Sequence, residues 1–421
     1  MPNTKTINHV IFLGAGASQT SGYPLASELR LRLTSQNQIL ADLERLADDA
    51  KAVSAECSTY FNRFYDSAQL FRHGAFGSVD EFSKLASEKY PEHVQAMKNL
   101  TRLALSLHYP EKAFHHSDYY PFIQHLFSED HLYSLKPNIA VLSYNYDCYL
   151  EYLLLKAQAI RNNLAGQPQS TAVHKNRLSS GFFKPSDSNI LPQLAQADGQ
   201  FKHLKLHGSI AFADEKSHKQ LFESANVERF KPFSVSSYPL STPPIVFPWE
   251  VFDASGNFID SQEFIFCKQA RASGNGVLDP QANNKHAQAM YLYELYKAIW
   301  EGARQVVQRA DKISFVGLSM HEYLRAGLQY LFRNKSGPLE LVFANKPETS
   351  RNTGYVFYLH PKTPNLHFRD MVKPVAPNIQ YKRSSSEIQI EMPGRVAVAG
   401  DPNLEVTFRD SFSEFIEKEM D

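Results

Sequence analysis

Cysteine is scarce in this chain of 421 residues, which contains only three. Cys57, Cys148 and Cys267 form no C-x-x-C pair, so the sequence predicts neither a zinc ribbon nor a disulfide framework. Few and unpaired cysteines are typical of proteins from a reducing cytosol. We therefore expect a cytoplasmic protein that binds no metal.

A net charge and long apolar runs are also missing. The 44 basic residues balance 44 acidic ones, whereas a general nucleic-acid-binding protein would be basic. No apolar stretch approaches the roughly 20 residues of a membrane span, and the glycine-containing segment 14–18 stands where a signal peptide would have its cleavage region. The sequence therefore predicts no membrane partner and no direct binding of nucleic acid.

Short apolar runs recur along the chain, and each leads into small or polar residues. Such runs are typical of buried parallel strands, whose carboxyl ends meet at one edge of an open sheet. We predict an α/β fold with a Rossmann-like, open, mostly parallel sheet and a helical insertion. The predicted strands are Val10–Leu13, Ile139–Ser143, Leu204–Leu206, Ile245–Phe247, Ile313–Val316 and Leu339–Phe343.

Three regions follow from this distribution. The Rossmann-like domain is predicted for residues 1–28 and 136–349, with a strong helix over 286–310 and loops over 162–200 and 274–285. Residues 29–135 have apolar residues at helical spacing, which predicts a helical insertion that serves as a lid or an assembly surface. Residues 350–421 are predicted to form an extension with short strands and a final helix around 411–419.

The first predicted strand ends in a loop of small residues. Small residues let the backbone turn sharply and approach a ligand, and a helix that starts beyond them aims its free amides at a phosphate. The dinucleotide fingerprint G-x-G-x-x-G fails, because Gln19 stands in place of the third glycine, which disfavours a conventional dehydrogenase. A turn without a ligand stays open as the alternative. The loop residues are Gly14, Ala15, Gly16, Ala17 and Ser18.

Asn145 and Asp147 follow the second predicted strand, in the segment S-Y-N-Y-D. An Asn offers a donor and an acceptor to a ribose hydroxyl or a water, and an Asp holds charge or orients its neighbours. Asp147 could instead act as the N-cap of a helix over Cys148–Lys156, which is compatible with a nearby site.

His207 ends a third strand, in the segment K-L-H-G-S. A histidine suits a general base, because its unperturbed pKa lies near neutrality. His115, His116 and His125 lie in the predicted insertion, without metal-ligand spacing, and we interpret them as structural. Two later strands end in V-G-L-S and in Asn345, and each is a weak indication by itself.

In this order, the segments L-G-A-G-A-S, S-Y-N-Y-D, K-L-H-G-S, V-G-L-S and the strand ending in Asn345 resemble the sirtuin (silent information regulator) family. They are most similar to the sirtuin-like NAD hydrolases of bacterial anti-phage systems. The motifs extend from residue 10 to residue 345. The resemblance implies cleavage of the N-glycosidic bond of NAD to nicotinamide and ADP-ribose, with NAD as substrate.

The resemblance also implies roles for individual residues. Asn145 would contact the ribose next to nicotinamide, Asp147 would lie close behind, and His207 would be the catalytic histidine. The predicted contacts to NAD come from Gly14, Ala15, Gly16, Ala17, Ser18, Gly208, Ser209, Gly317, Ser319 and Asn345.

Two features depart from the protein deacylases of that family. The chain cannot build their four-cysteine zinc module, and segment 22–28 reads G-Y-P-L-A-S-E where they have G-I-P-D-F-R-like sequences. An NAD-dependent protein deacylase therefore stays open as an alternative, and so does a catalytically silent nucleotide-sensing or scaffold subunit. Because an unrestrained NAD hydrolase would kill its cell, we expect gating. The resemblance points to homo-oligomers and to a hexameric ATPase partner of the HerA type.

Overall fold

The computed structural model describes residues 8–34, 65–106, 117–127, 135–160, 201–210, 245–272, 280–344 and parts of 357–420, with some single positions excepted. The strands in this part of the chain are β1 (His9–Leu13), β2 (Ile139–Ser143), β3 (Lys202–Lys205), β4 (Lys312–Val316), β5 (Leu339–Ala344), β6 (Phe357–Leu359), β7 (Leu366–Phe368), β8 (Tyr381–Ser384), β9 (Glu387–Ile390) and β10 (Leu404–Arg409). The helices are α1 (Ala15–Gln19), α2 (Ala26–Thr34), α3 (Val79–Lys89), α4 (Pro91–Ser106), α5 (Tyr119–Leu126), α6 (Ile265–Ala272), α7 (Pro280–Arg309), α8 (Arg325–Phe332) and α9 (Phe412–Glu419).

Six of these strands form one sheet in the order β10-β5-β4-β1-β2-β3, and all of its pairings are parallel. This is the doubly wound Rossmann order, in which the chain reverses direction across the sheet between β1 and β4. Ligands of such sheets bind outside the carboxyl ends of the strands at that reversal point. The predicted Rossmann-like α/β fold is confirmed.

Helices cover both faces of the sheet. Alternate strand residues point to opposite sides, so each face of an apolar strand needs its own cover. Val10 and Phe12 of β1 lie in the core that contains the apolar face of α7. Ile11 and Leu13 lie in the core on the other face, with α5 and α9. Among the described residues, no helix has the length and apolar composition that a membrane crossing requires.

The insertion has a small core of its own. Apolar residues of α2, α3, α4 and the helical residues 65–73 form this cluster, and Phe247 joins it from the Rossmann-like domain. Tyr146 and Trp249, also from that domain, pack against its edge. The described part of the insertion is thus helical, as predicted, and it docks on segments that leave the carboxyl edge of the sheet.

Two predicted strands need correction. The run Ile245–Phe247 is no parallel strand, because Ile245 makes only an isolated antiparallel bridge to Gly208 and Pro248 then starts a 3₁₀ turn. A proline lacks the N–H that would extend strand pairing. The third strand spans Lys202–Lys205 instead of Leu204–Leu206, since the chain turns at Leu206 to present His207.

Two predicted boundaries also move. The region 350–421 is predicted to form an extension with short strands and a final helix, but its strand β10 pairs with β5 and belongs to the main sheet. Helix α7 begins at Pro280, within the predicted loop 274–285, because proline is favourable in the first turn of a helix. The final helix, Phe412–Glu419 with Ser411 as its N-cap, agrees with the prediction. The predicted loop 162–200 lies outside the described residues.

Candidate functional site

The segment after β1 (residues 14–18), predicted as a loop, is already helical from Ala15 in α1. This segment, referred to below as the loop after β1, packs directly on the loop after β4, at the reversal point of the sheet. The Gly14 amide donates to the Val316 carbonyl at 3.0 Å, and the Gly16 amide donates to the Gly317 carbonyl at 2.8 Å. Gly317 has a φ of +60°, and a Cβ atom there would lie 2.1 Å from the Ala17 nitrogen. These glycines are therefore required for contact between the two loops, whether or not a ligand binds. The predicted ligand contacts of this loop, where Ala15 is exposed, stay predictions.

Hydrogen bonds join this loop to the end of β2. The Asn145 amide nitrogen Nδ2 donates to the Gly14 carbonyl at 3.0 Å and to Ser18 Oγ at 3.2 Å. Ser18 Oγ donates to Asp147 Oδ2 at 3.3 Å. The structure thus brings Gly14, Ser18, Asn145 and Asp147 together, in a buried network between two chain segments about 130 residues apart.

The chemistry of the network fixes the direction of its hydrogen bonds. A serine hydroxyl has one proton, and Ser18 gives it to the carboxylate of Asp147, so it must accept from Asn145 and from Tyr119. The hydroxyl of Tyr119 lies 3.1 Å from Ser18 Oγ. Asp147 Oδ1 also accepts from the Tyr149 amide at 3.0 Å, at the start of the helical residues 149–151. The N-cap interpretation of Asp147 is therefore correct, and it coexists with the network.

The charge of Lys205 acts on two buried carboxyl groups behind this network, those of Glu151 and Asp147. Lys205 Nζ forms an ion pair with Glu151 Oε1 at 3.2 Å and donates to the backbone carbonyl of Asp147. Burial raises the pKa of both Asp147 and Glu151, and the charge of Lys205 opposes that rise. Lys205 thereby holds the backbone on which Asp147 presents its carboxyl group.

His207 lies in an aromatic pocket next to the Asn145 loop. Its ring centroid is 4.9 Å from that of Tyr144, 6.2 Å from that of Tyr146 and 6.0 Å from that of Trp300. Burial lowers the pKa of His207 to about 3, so the imidazole is neutral near pH 7. Since Tyr144 and Tyr146 flank Asn145 in the chain, the imidazole lies beside the loop that carries the Asn145 amide.

The backbone around His207 is held from three sides. Trp300 Nε1 donates to the Leu206 carbonyl at 3.0 Å, and the Val246 amide donates to the His207 carbonyl at 3.0 Å. The Tyr146 hydroxyl donates to the Val246 carbonyl at 3.3 Å. Sequence reasoning did not identify Tyr146 or Trp300 as part of the site. Tyr146 stands within the motif S-Y-N-Y-D, which is a signal in the sequence, whereas Trp300 lies within α7 and away from the motifs.

Of four further predicted contacts to NAD, the structure describes two, Gly208 and Ser209. Gly208 adopts a φ of +81° and bridges to Ile245, and Ser209 is fully buried, so both support the turn after His207. Ser319 and Asn345 lie outside the described residues, and their predicted roles stay predictions. The described residues contain no group of three or more His, Cys, Asp or Glu side chains suited to a metal ion.

In comparisons with known proteins, neither a family model nor a curated protein matched this chain. The likeness to sirtuins therefore rests on the five motifs and their order in the sequence.

Proposed function

We propose that the chain binds NAD at the carboxyl edge of its sheet and hydrolyses the N-glycosidic bond to nicotinamide and ADP-ribose. The observation that carries this proposal is the hydrogen-bonded convergence of Ser18, Asn145 and Asp147, beside the pocket that holds His207. These residues come from three motifs, L-G-A-G-A-S, S-Y-N-Y-D and K-L-H-G-S, which the sequence predicts to be parts of one nucleotide site. The Rossmann strand order adds support, because its reversal point is where such folds bind nucleotides.

The hydrogen bonds of Asn145 suggest how it would contact NAD. Between described residues, both of its side-chain bonds use the amide nitrogen, which has two hydrogens. The carbonyl oxygen Oδ1 is therefore the atom available to accept a hydrogen bond from a ribose hydroxyl or from the attacking water. In this role Asn145 orients a group beside the breaking bond without changing its own charge.

His207 would act as the base, and its burial defines what it can contribute. Cleavage gives a ribose with oxocarbenium character, and the attacking water or a ribose hydroxyl must lose a proton. A neutral imidazole can accept that proton, and a general base supplies about 10²–10⁴-fold acceleration. Because a pKa of about 3 is below the optimum for a base at neutral pH, positioning and electrostatic stabilisation of the cation must provide the rest.

We also propose that the insertion controls this activity through assembly, in anti-phage defence by NAD depletion. The large hydrophobic side chains that the described residues expose are mostly on the insertion: Leu31, Leu70, Leu85 and Tyr90, with Ile160 outside it. Exposed apolar groups favour contact with another chain. A HerA-type ATPase or a second copy of this chain is the expected partner. Sedimentation of wild type and of the double variant Leu85→Ser/Tyr90→Ser would test whether this surface mediates the assembly.

The test of the activity is nicotinamide release from NAD by the purified chain, followed by chromatography. We expect release by wild type, loss of at least about 100-fold in Asn145→Ala and His207→Ala, and no change in His286→Ala. His286 is an exposed histidine near the start of α7 and serves as the matched control. The assay should be run alone and after co-expression with the genomic neighbour.

Three outcomes would contradict the proposal. NAD binding in calorimetry without consumption under either condition would indicate the silent sensor or scaffold. Turnover of an acetylated peptide together with NAD would indicate the deacylase. Wild-type rates in both site variants would remove Asn145 and His207 from the mechanism.

A further inference from the structure

A buried ion pair ties the helical insertion to the Rossmann-like domain. Lys98 on α4 places its Nζ atom 2.8 Å from Glu250 Oε1 and 2.7 Å from Oε2, and both side chains are 0% exposed. The ammonium group also lies over the ring of Phe266, 4.8 Å from its centroid, and over that of Phe247 at 5.5 Å. A pair this deeply buried gives little net stability, because desolvation offsets the attraction. Its effect is instead to fix one geometry between the two parts.

The Glu250 end of this pair leads to His207 through three backbone groups. Glu250 Oε2 accepts a hydrogen bond from the Phe247 amide at 2.6 Å, which fixes the turn Pro248–Glu250. The preceding residue, Val246, donates its amide to the His207 carbonyl at 3.0 Å. Its carbonyl accepts from the hydroxyl of Tyr146, whose ring is in the His207 pocket. Segment 246–250 therefore lies between the insertion and the imidazole.

The electrostatics agree with this connection. Burial raises the pKa of Tyr146, and the carboxyl groups of Asp80 and Glu250 raise it further. Asp80 lies in the first turn of α3, so a second insertion helix brings a carboxyl group close to the same tyrosine. Tyr146 thus lies between the His207 ring and the charged residues at the insertion.

We propose that Lys98 and Glu250 are positioning residues for His207, through which the insertion holds the imidazole in its working place. Lys98 fixes Glu250, Glu250 fixes the Phe247 turn, and the turn holds the His207 backbone through Val246. The catalytic consequence rests on the proposed function, whereas the placement of His207 does not. A shift of the insertion, with α4, away from its present position would release His207 without any change in residues 14–18.

The experiment compares Lys98→Met, Glu250→Gln and the double variant with wild type. Lys98→Met leaves a buried carboxylate unpaired, so it is expected to lower the melting temperature. The double variant carries no unpaired charge and is expected to recover stability, although the link to the insertion is still missing. Lys268→Met is the matched control, because Lys268 pairs with Glu263 on the surface, where the side chains are 50% and 62% exposed.

The first measurement is hydrogen exchange of the Val246 amide, resolved by fragmentation mass spectrometry, which requires no activity. We expect exchange to be faster by about tenfold or more in Lys98→Met and in the double variant, with no change in Lys268→Met. The second is nicotinamide release, where we expect a lower kcat and an unchanged KM for NAD. A Lys98→Arg variant, which keeps the charge, should restore part of kcat.

The outcomes separate this inference from the proposed function. Absence of nicotinamide release by wild type would contradict the proposed function, and the exchange result would still decide the placement of His207. Wild-type exchange at Val246 in the double variant would overturn the inference. So would a double variant that melts below the assay temperature, because the pair would then be a requirement for folding and not for placing His207.

Discussion

Replacement of Gly317 by alanine tests the contact that forms the reversal point of the sheet. Gly317 has a φ of +60°, and a Cβ atom there would lie 2.1 Å from the Ala17 nitrogen and 2.5 Å from the Gly16 carbonyl carbon. Both neighbours are backbone atoms, so the loop after β1 must move away as a unit. That movement would break the hydrogen bond from the Gly16 amide to the Gly317 carbonyl.

Gly256 provides a matched control for the size of this effect. It has a φ of +73°, but the nearest atom to its Cβ position would be Gln329 Oε1 at 3.3 Å, at the end of a flexible side chain. Gly256→Ala should therefore cost only the left-handed backbone penalty, about 1–2 kcal/mol in the free energy of unfolding. Gly317→Ala adds a steric penalty of about 1–3 kcal/mol, for a total of about 2–5 kcal/mol.

The assay is urea denaturation of wild type and both variants, followed by circular dichroism, together with calorimetric titration of NAD. We expect Gly317→Ala to be less stable than Gly256→Ala by about 1–3 kcal/mol. We also expect it alone to lose NAD binding, since it displaces the loop that contains Ser18. Equal losses of stability in the two variants would refute the packing of these two loops.

Three further predictions concern the buried polar groups. His203 is fully buried in β3, and burial holds its pKa well below the ordinary value, so the unfolded chain takes up a proton near pH 6.5 while the folded chain does not. Compared with His203→Leu, wild type should therefore lose about 1.4 kcal/mol of unfolding free energy per pH unit below 6.5, and parallel profiles in urea denaturation would contradict this. Ser18→Ala should cost about 1–3 kcal/mol in the same assay, because it leaves the buried carboxyl group of Asp147 without its hydroxyl donor. His207 stays neutral down to a pKa of about 3, so its protonation should cause no fall in kcat/KM for nicotinamide release near pH 6.5. A fall near pH 6.5 that wild type shows and His207→Ala does not show would contradict this.

The strands around the site were predictable because their composition is decisive. Residues 10–13 and 139–142 are uninterrupted apolar runs followed by Gly14 and Ser143, and they lie in β1 and β2. Residues 313–316 are apolar except for Ser314, are followed by Gly317 and lie in β4. The run Ile245–Phe247 has the same appearance, but it is only three residues long and Pro248 follows it. Strand pairing depends on residues far away in the chain, so short runs of this kind cannot be assigned from the sequence.

The candidate site was predictable as a set of residues but not as a set of contacts. Ser18, Asn145 and Asp147 each follow a predicted strand within a few residues, and the structure joins them through hydrogen bonds to Ser18. Tyr119 and Lys205 were missed, because their roles arise from tertiary packing. Lys205 lies in a strand of sequence K-H-L-K, whose two lysines would predict partial exposure, but the strand is buried throughout.

The ionisation of His207 illustrates a second limit. The sequence supports a histidine that titrates near neutrality, because its isolated pKa is near 6.5. The three aromatic rings around it remove water and lower the pKa to about 3. An environment that several distant segments assemble cannot be read from the segment K-L-H-G-S alone.

A crystal structure with a non-hydrolysable carba analogue of NAD tests the central claim most directly. The account predicts electron density for the analogue across the loop of residues 14–18, with its nicotinamide-side ribose within hydrogen-bonding distance of Asn145 Oδ1 and next to the His207 ring. Density for the analogue at another place on the chain, with the Asn145 and His207 pocket unchanged, would contradict it.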